Sequence, residues 1–120
     1  MLRLKAIFPD DWQYIIAEYR DFVLFSGGKP VKDDLILMMI ESGVRFGERL
    51  AQLNFNKFTE ICCGLAIPSL TLAFLGKTGG KAIDIDTKIL SFAERIRDRL
   101  QCELEFQCCD IFEDRPVIKK

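Results

Sequence analysis

The 120-residue chain has no histidine, no long uncharged run and no block of basic residues. Without histidine, a mixed cysteine–histidine metal site has no second ligand type to draw on. No stretch reaches the roughly 18 uncharged apolar residues that a membrane span needs. Lys and Arg number 17 against 18 Asp and Glu, for a formal net charge of −1. That balance argues against a nucleic-acid protein relying on a strong electrostatic footprint, though not against a nucleic-acid substrate held by residues elsewhere. The opening MLRLKAIFPDDW reaches Asp10 and Asp11 before a secretory apolar segment can form. No signal peptide is expected, and a cytoplasmic location follows.

Cysteine is present in an odd count of five, which fits reduced intracellular thiols better than a disulfide framework. Two pairs are adjacent, Cys62-Cys63 and Cys108-Cys109. Adjacent cysteines lack the C-x₂-C spacing of a zinc knuckle, so no metal site is expected. Both pairs end apolar runs, where free thiols act as small buried hydrophobes.

What is present is ordinary for one soluble domain: 49% hydrophobic and 29% charged residues. The length is small for a complete α/β enzyme. Trp12, Ile15, Ile16, Tyr19, Phe22 and Val23 recur at helical spacing, with Asp10 or Asp11 as N-cap. Ser26–Pro30 (SGGKP) breaks that helix. A second helix is expected over Asp33–Leu53, with Leu35, Met38, Met39, Ser42, Phe46, Leu50 and Leu53 on its apolar face. Gly43 and Gly47, one turn apart, mark tight packing on a neighbouring helix or close approach to a ligand.

From residue 55 the pattern alternates. A strand over Lys57–Cys63 is followed by a helix from Pro68 to Leu75, stopped at Gly76. A second strand, Lys81–Ile85, leads through a capping Asp86 into a helix with Ile89, Phe92, Ala93, Ile96 and Leu100 inward. Its other side, Glu94, Arg95, Arg97, Asp98 and Arg99, reads as a solvated face. A third strand spans Glu103–Cys108. Residues 1–54 thus form a helical segment and residues 55–120 a βαβαβ segment of one α/β domain. Right-handed crossovers imply a parallel sheet with helices on its faces, a three-layer arrangement.

In an open parallel sheet, ligands bind beyond the carboxyl ends of the strands. There the chain places Glu60, Asp84 and Asp110, one acid per strand. Gly64 and Ala66 keep the first turn small enough for backbone to approach a ligand. Asp84 follows Gly64 by 20 residues, the interval at which an acid can accept both ribose hydroxyls. Asp110 stands where it can accept from an adenine amino group.

The run FTEICCGLAIPSL resembles the first motif of class I S-adenosylmethionine-dependent methyltransferases, an acid followed by E/D-x-G-x-G-x-G spacing. Matched by position, the resemblance puts Glu60 near the methionine part of the cofactor and Cys62, Gly64 and Ala66 at the three glycine places. AIDID is similar to the second motif, with Asp84 on the ribose. CCDIF is similar to the third, with Asp110 beside the adenine amino group and Ile111 flanking the ring. Where Cys62 or Ala66 must adopt positive φ, strain of about 1 kcal/mol is expected.

The resemblance covers Lys57–Glu113 and implies a Rossmann-like cofactor half with three strands of the family's seven. The acceptor-side residues are not in view, and no catalytic residue is named. The expected function is binding of S-adenosylmethionine and transfer of its methyl group to an unidentified acceptor, whether small molecule, protein or nucleic acid. Two alternatives stand beside it: a non-catalytic interaction or regulatory module, and an NAD(P)-binding oxidoreductase. The second reads Gly64, Ala66 and Ser69 as its loop. Against it, Pro68 removes a backbone donor from the phosphate turn, and Glu60 adds negative charge where pyrophosphate would lie. In the family's strand order, strand one would pair with a fourth strand, so its edge stands open here: either the leading helices cover it or the chain associates, and a homo-oligomer through that edge is the expectation.

Overall fold

The computed structural model describes Leu2–Phe112. Three helices, α1 (Leu2–Ile7), α2 (Trp12–Gly27) and α3 (Asp33–Ala51), precede an alternating β1 (Lys57–Ile61), α4 (Ile67–Phe74), β2 (Gly79–Asp84), α5 (Thr87–Leu100) and β3 (Glu105–Cys108). The sheet runs β1-β2-β3 and is parallel throughout, with Phe58 opposite Gly80 and Ala82 opposite Phe106. The expected class, mixed α/β with a three-stranded parallel sheet, is what forms. None of the described helices is long and apolar enough to cross a membrane.

Helix α1 was not expected from periodicity, because six residues are too few to show a repeat. It holds through tertiary contacts. Leu4 and Phe8, one turn apart, are almost fully buried. The Glu41 carboxylate on α3 accepts from the backbone N–H groups of Arg3 at 2.8 Å and Leu4 at 2.9 Å, donors that a first helical turn leaves unbonded.

The expected layering needs correction. Register neighbours share a face of a parallel sheet, so Phe58, Ala82 and Phe106 project to one side. All three pack into the core that α4 and α5 supply through Leu70, Ala73, Leu90, Ala93 and Ile96. Both crossover helices therefore cover the same face, and α1–α3 pack on helices rather than on the sheet. The opposite face carries Thr59, Ile61, Lys81 and Glu105, the last two ion-paired at 3.3 Å. Among the described residues the two crossover helices cover one face of the sheet only, because successive crossovers in one direction and of one hand return on the same side. Gly80 makes room for the Phe58 ring: a Cβ there would lie 2.1 Å from its Cζ.

The inward face of α3 also differs from expectation. Ile36, Ile40, Val44 and Gly47 are buried, whereas Leu35, Met38, Met39 and Phe46 face outward. The helix carries two apolar stripes, and the two small glycines select the inner one. A Cβ at Gly43 would lie 2.9 Å from Ile67 Cγ2, and one at Gly47 would lie 2.7 Å from the Pro68 carbonyl. Tight packing on α4, not ligand approach, is their role.

Helix ends follow local chemistry. Asp86 caps α5 by accepting from Lys88 N–H at 2.8 Å. Gly76, at φ +105°, closes α4 with the two backward bonds of a Schellman turn, Gly76 N–H to Ala73 and Lys77 N–H to Leu72. Asp11 occupies the N-cap place of α2 but makes no cap bond; its carboxylate pairs with Arg99 at 3.0 Å. The charged side of α5 is accordingly less a solvated face than a clamp on α2. Arg95 binds Glu18 through Nε and Nη2, and its guanidinium lies over Phe92.

Candidate functional site

Beyond the carboxyl ends of the strands lies a cleft of about 260 Å³ lined by Cys62, Ile83, Asp84, Ile85, Cys109, Asp110, Ile111 and Phe112. Four of the seven residues singled out in the sequence, Cys62, Asp84, Asp110 and Ile111, thus meet at one place. They come from three different strand ends, which only the parallel sheet brings together.

The loop from β1 into α4 carries a distinctive backbone. Cys62 has φ +56°, Gly64 φ +53° and Ala66 φ +57°. Left-handed residues recur at each of the three positions matched to glycine, although only one is glycine. Such a conformation costs an L-residue about 1–2 kcal/mol, so the surrounding contacts hold it. One contact is explicit: Gly64 N–H donates to Asp84 Oδ2 at 2.9 Å. Ladder bonds continue on either side, from Cys63 N–H to the Ile83 carbonyl and from Cys109 N–H to the Asp84 carbonyl, both 2.9 Å.

Asp84 also accepts from Asp86 N–H, through Oδ1 at 3.2 Å. Each carboxylate oxygen has two lone-pair directions, so one acceptor direction per oxygen remains for a ligand hydroxyl. Asp110 accepts from Phe112 N–H at 2.9 Å, a short turn that sets Ile111 and Phe112 against the cleft. Phe112 is 80% exposed, an unusual position for a phenyl ring. It stood inside the CCDIF run without an assigned role; an apolar residue at a strand end beside an acid was the available signal. Ile83, Ile85 and Cys109 were likewise not singled out.

Glu60 is not among the cleft residues. It projects to the helix-covered side of the sheet and accepts from Ser69 Oγ at 2.5 Å. The Ser69 backbone N–H donates to it as well. Burial pushes its carboxyl above the usual range, and the two Ser69 bonds pull it partly back. Ala66, at the N-cap of α4, has no side-chain acceptor. Glu60 supplies one from a distance and so closes the first turn of α4.

The cysteines divide rather than behave alike. Cys63 and Cys109 are buried, while Cys62 and Cys108 are exposed, which corrects the expectation of buried thiols throughout. Burial, with Glu60 and Asp84 nearby, pushes the Cys63 thiol up to about 12. Cys63 is therefore inert near neutral pH, since the thiolate is the reactive form.

No protein-family model matches the chain, and neither does any curated protein or solved structure.

Proposed function

We propose that the chain is the cofactor-binding part of a Rossmann-like, S-adenosylmethionine-dependent methyltransferase. The observation that carries this reading is the run of left-handed residues at Cys62, Gly64 and Ala66, tied by Gly64 N–H to Asp84. That backbone keeps the loop low at the mouth of a cleft whose acids come from strands two and three. Asp84 would hold the ribose hydroxyls, Asp110 the adenine amino group, and Ile111 with Phe112 the faces of the ring. When bound, the cofactor supplies a methyl group on a sulfonium, and methyl transfer then rests mainly on alignment of the acceptor.

The cleft volume fits this division. Sites for whole ligands occupy roughly 300–1,000 Å³, so about 260 Å³ suits the nucleoside portion. The first turn of α4 also favours this cofactor over a dinucleotide. Pro68 has no N–H, and the Ser69 N–H is directed to Glu60, so the helix start is poor in donors for pyrophosphate. Glu60 thereby bears on cofactor choice through a helix cap, not as a ligand to methionine.

Titration calorimetry tests the reading. S-adenosylmethionine should give saturable heat, and Asp84→Asn should weaken binding at least tenfold, as expected when a hydrogen-bonded charged acceptor is lost. Binding of NADH with no response to S-adenosylmethionine would overturn it. Silence toward both would favour the non-catalytic module.

A further inference from the structure

Phe22, on α2, reaches the turn that follows β1. Among the described residues, and outside Gly64 and its two chain neighbours, Phe22 Cζ is the only heavy atom within 4 Å of the place a Gly64 Cβ would take, at 3.5 Å. On its amide side Gly64 is held by Asp84 Oδ2, and the other oxygen of that carboxylate accepts from Asp86 N–H. Asp86 in turn caps α5. Helix α5 carries Phe92, whose ring meets Phe22 edge-on with 6.1 Å between centroids. The contacts therefore close on themselves, from Phe22 through Gly64, Asp84 and Asp86 along α5 to Phe92 and back.

The helical side of this circuit is clamped. Arg95 lies over the Phe92 ring at 4.7 Å and binds Glu18 of α2 through Nε at 3.0 Å, so sliding α2 along α5 breaks an ion pair. Tyr19 packs edge-on against Phe22 at 5.6 Å. The turn is the strained side. Cys62 and Ala66 hold left-handed backbone on either side of Gly64, a conformation that L-residues keep only where surrounding contacts impose it. Phe22 itself is half-buried, so filling the fully buried core is not what its ring is for.

We propose that Phe22 is a positioning residue of the cleft: its ring keeps the β1–α4 turn against Asp84, so that the seating of α2 on α5 fixes the geometry offered to a nucleoside. The nucleoside rests on the cofactor reading of the cleft, whereas the hold on the turn rests on the contacts alone. Linkage makes the effect reciprocal, because a ligand that needs the turn in place also stabilises the docked α2.

Hydrogen exchange and titration calorimetry on the full chain test the two halves separately. In the wild type the Gly64 amide should be protected, and Phe22→Leu should speed its exchange roughly tenfold while the β2 amides stay as they were. Phe22→Met, the milder change, should act in the same direction. Phe25→Leu disturbs the same group of rings through Phe92, 5.8 Å away, and should leave the Gly64 amide as in the wild type. Adenosine is the ligand probe. Its dissociation constant should rise roughly fivefold or more in Phe22→Leu and stay within about twofold in Phe25→Leu. A Gly64 amide that is unprotected in the wild type, or as slow in the Phe22 variants as in the wild type, overturns the proposal. So does equal acceleration in Phe25→Leu, or exchange that speeds alike at Gly64 and in β2, the mark of a purely structural role. Failure of both adenosine and S-adenosylmethionine to bind the wild type would sink the cofactor reading, and exchange at Gly64 would still decide the role of Phe22.

Discussion

The backbone N–H of Gly64 donates to the carboxylate of Asp84 across 2.9 Å, joining the turn after β1 to the end of β2. One bond thus couples the two parts of the chain whose spacing first suggested a nucleoside site. It also fixes a loop that pays conformational strain at its non-glycine positions, and that strain can be measured.

Cys62 is exposed at φ +56°, so replacing it removes strain without emptying the core. Cys62→Gly should raise stability by roughly 0.5–1 kcal/mol, the left-handed cost less the extra freedom of glycine in the unfolded chain. Gly64→Ala should lower it by about 1 kcal/mol. Its new Cβ would meet only Phe22 Cζ at 3.5 Å, an ordinary contact, so conformation rather than collision sets the sign. Urea unfolding of both variants measures this. Equal loss in the two would show that the loop is not strained at Cys62.

Gly47 tests the α3–α4 contact. An added Cβ would lie 2.7 Å from the Pro68 carbonyl oxygen and 2.8 Å from Thr71 Cβ, so the helices must separate. Gly47→Ala should cost about 1–3 kcal/mol despite alanine's better helix propensity. Gly43→Ala, which meets the Ile67 side chain, should cost less. Gly27, with nothing within 4 Å, is the control and should gain up to about 1 kcal/mol as alanine. Thermal unfolding should rank the three in that order.

These cases also show where the sequence was readable. The alternation of strand and helix, the cap at Asp86 and the stop at Gly76 are local, and each rests on residues adjacent in the chain. The meeting of Asp84, Asp110 and Ile111 followed from strand ends in a parallel sheet, and Cys62 joined them from the loop. The orientation of α3 was not readable, because both of its stripes are apolar and only the small surface at Gly43 and Gly47 decides between them. That Glu60 bonds Ser69 and does not line the cleft was unreadable for a related reason. Alternation puts its side chain on the face of Phe58, and which face the helices cover is a tertiary fact. The stretch after strand three, DRPVIKK, where the resemblance would have a fourth strand approach, lies outside the described residues.

Glu60 gives a pH signature. Burial holds its carboxyl above the usual range in the folded state. The folded chain then binds a proton more readily than the unfolded one, so this group's contribution to stability falls as pH rises from the unfolded carboxylate value through the folded one. Glu60→Gln keeps an acceptor for Ser69 and removes the charge. It should flatten that part of the stability–pH curve. Glu60→Ala should cost about 1 kcal/mol through the lost α4 cap. A Gln variant with the wild-type slope would show that Glu60 does not titrate differently on folding.

Glu41 carries the opposite sign. Burial pushes its carboxyl up, but the backbone N–H groups of Leu4 and Arg3 outweigh that and hold it below the usual range. Its stabilisation is therefore present above the unfolded carboxylate value and is lost as pH falls through the lower folded one. Glu41→Gln leaves one good acceptor for two buried donors and should cost about 2 kcal/mol near neutral pH, shrinking toward acid. The loss should centre on α1, since Leu4 and Phe8 depend on that helix being held to α3. Hydrogen exchange at Leu4 and Phe8 should accelerate before exchange in the sheet does. Acceleration spread evenly over the chain would mean that α1 and the sheet unfold as one unit.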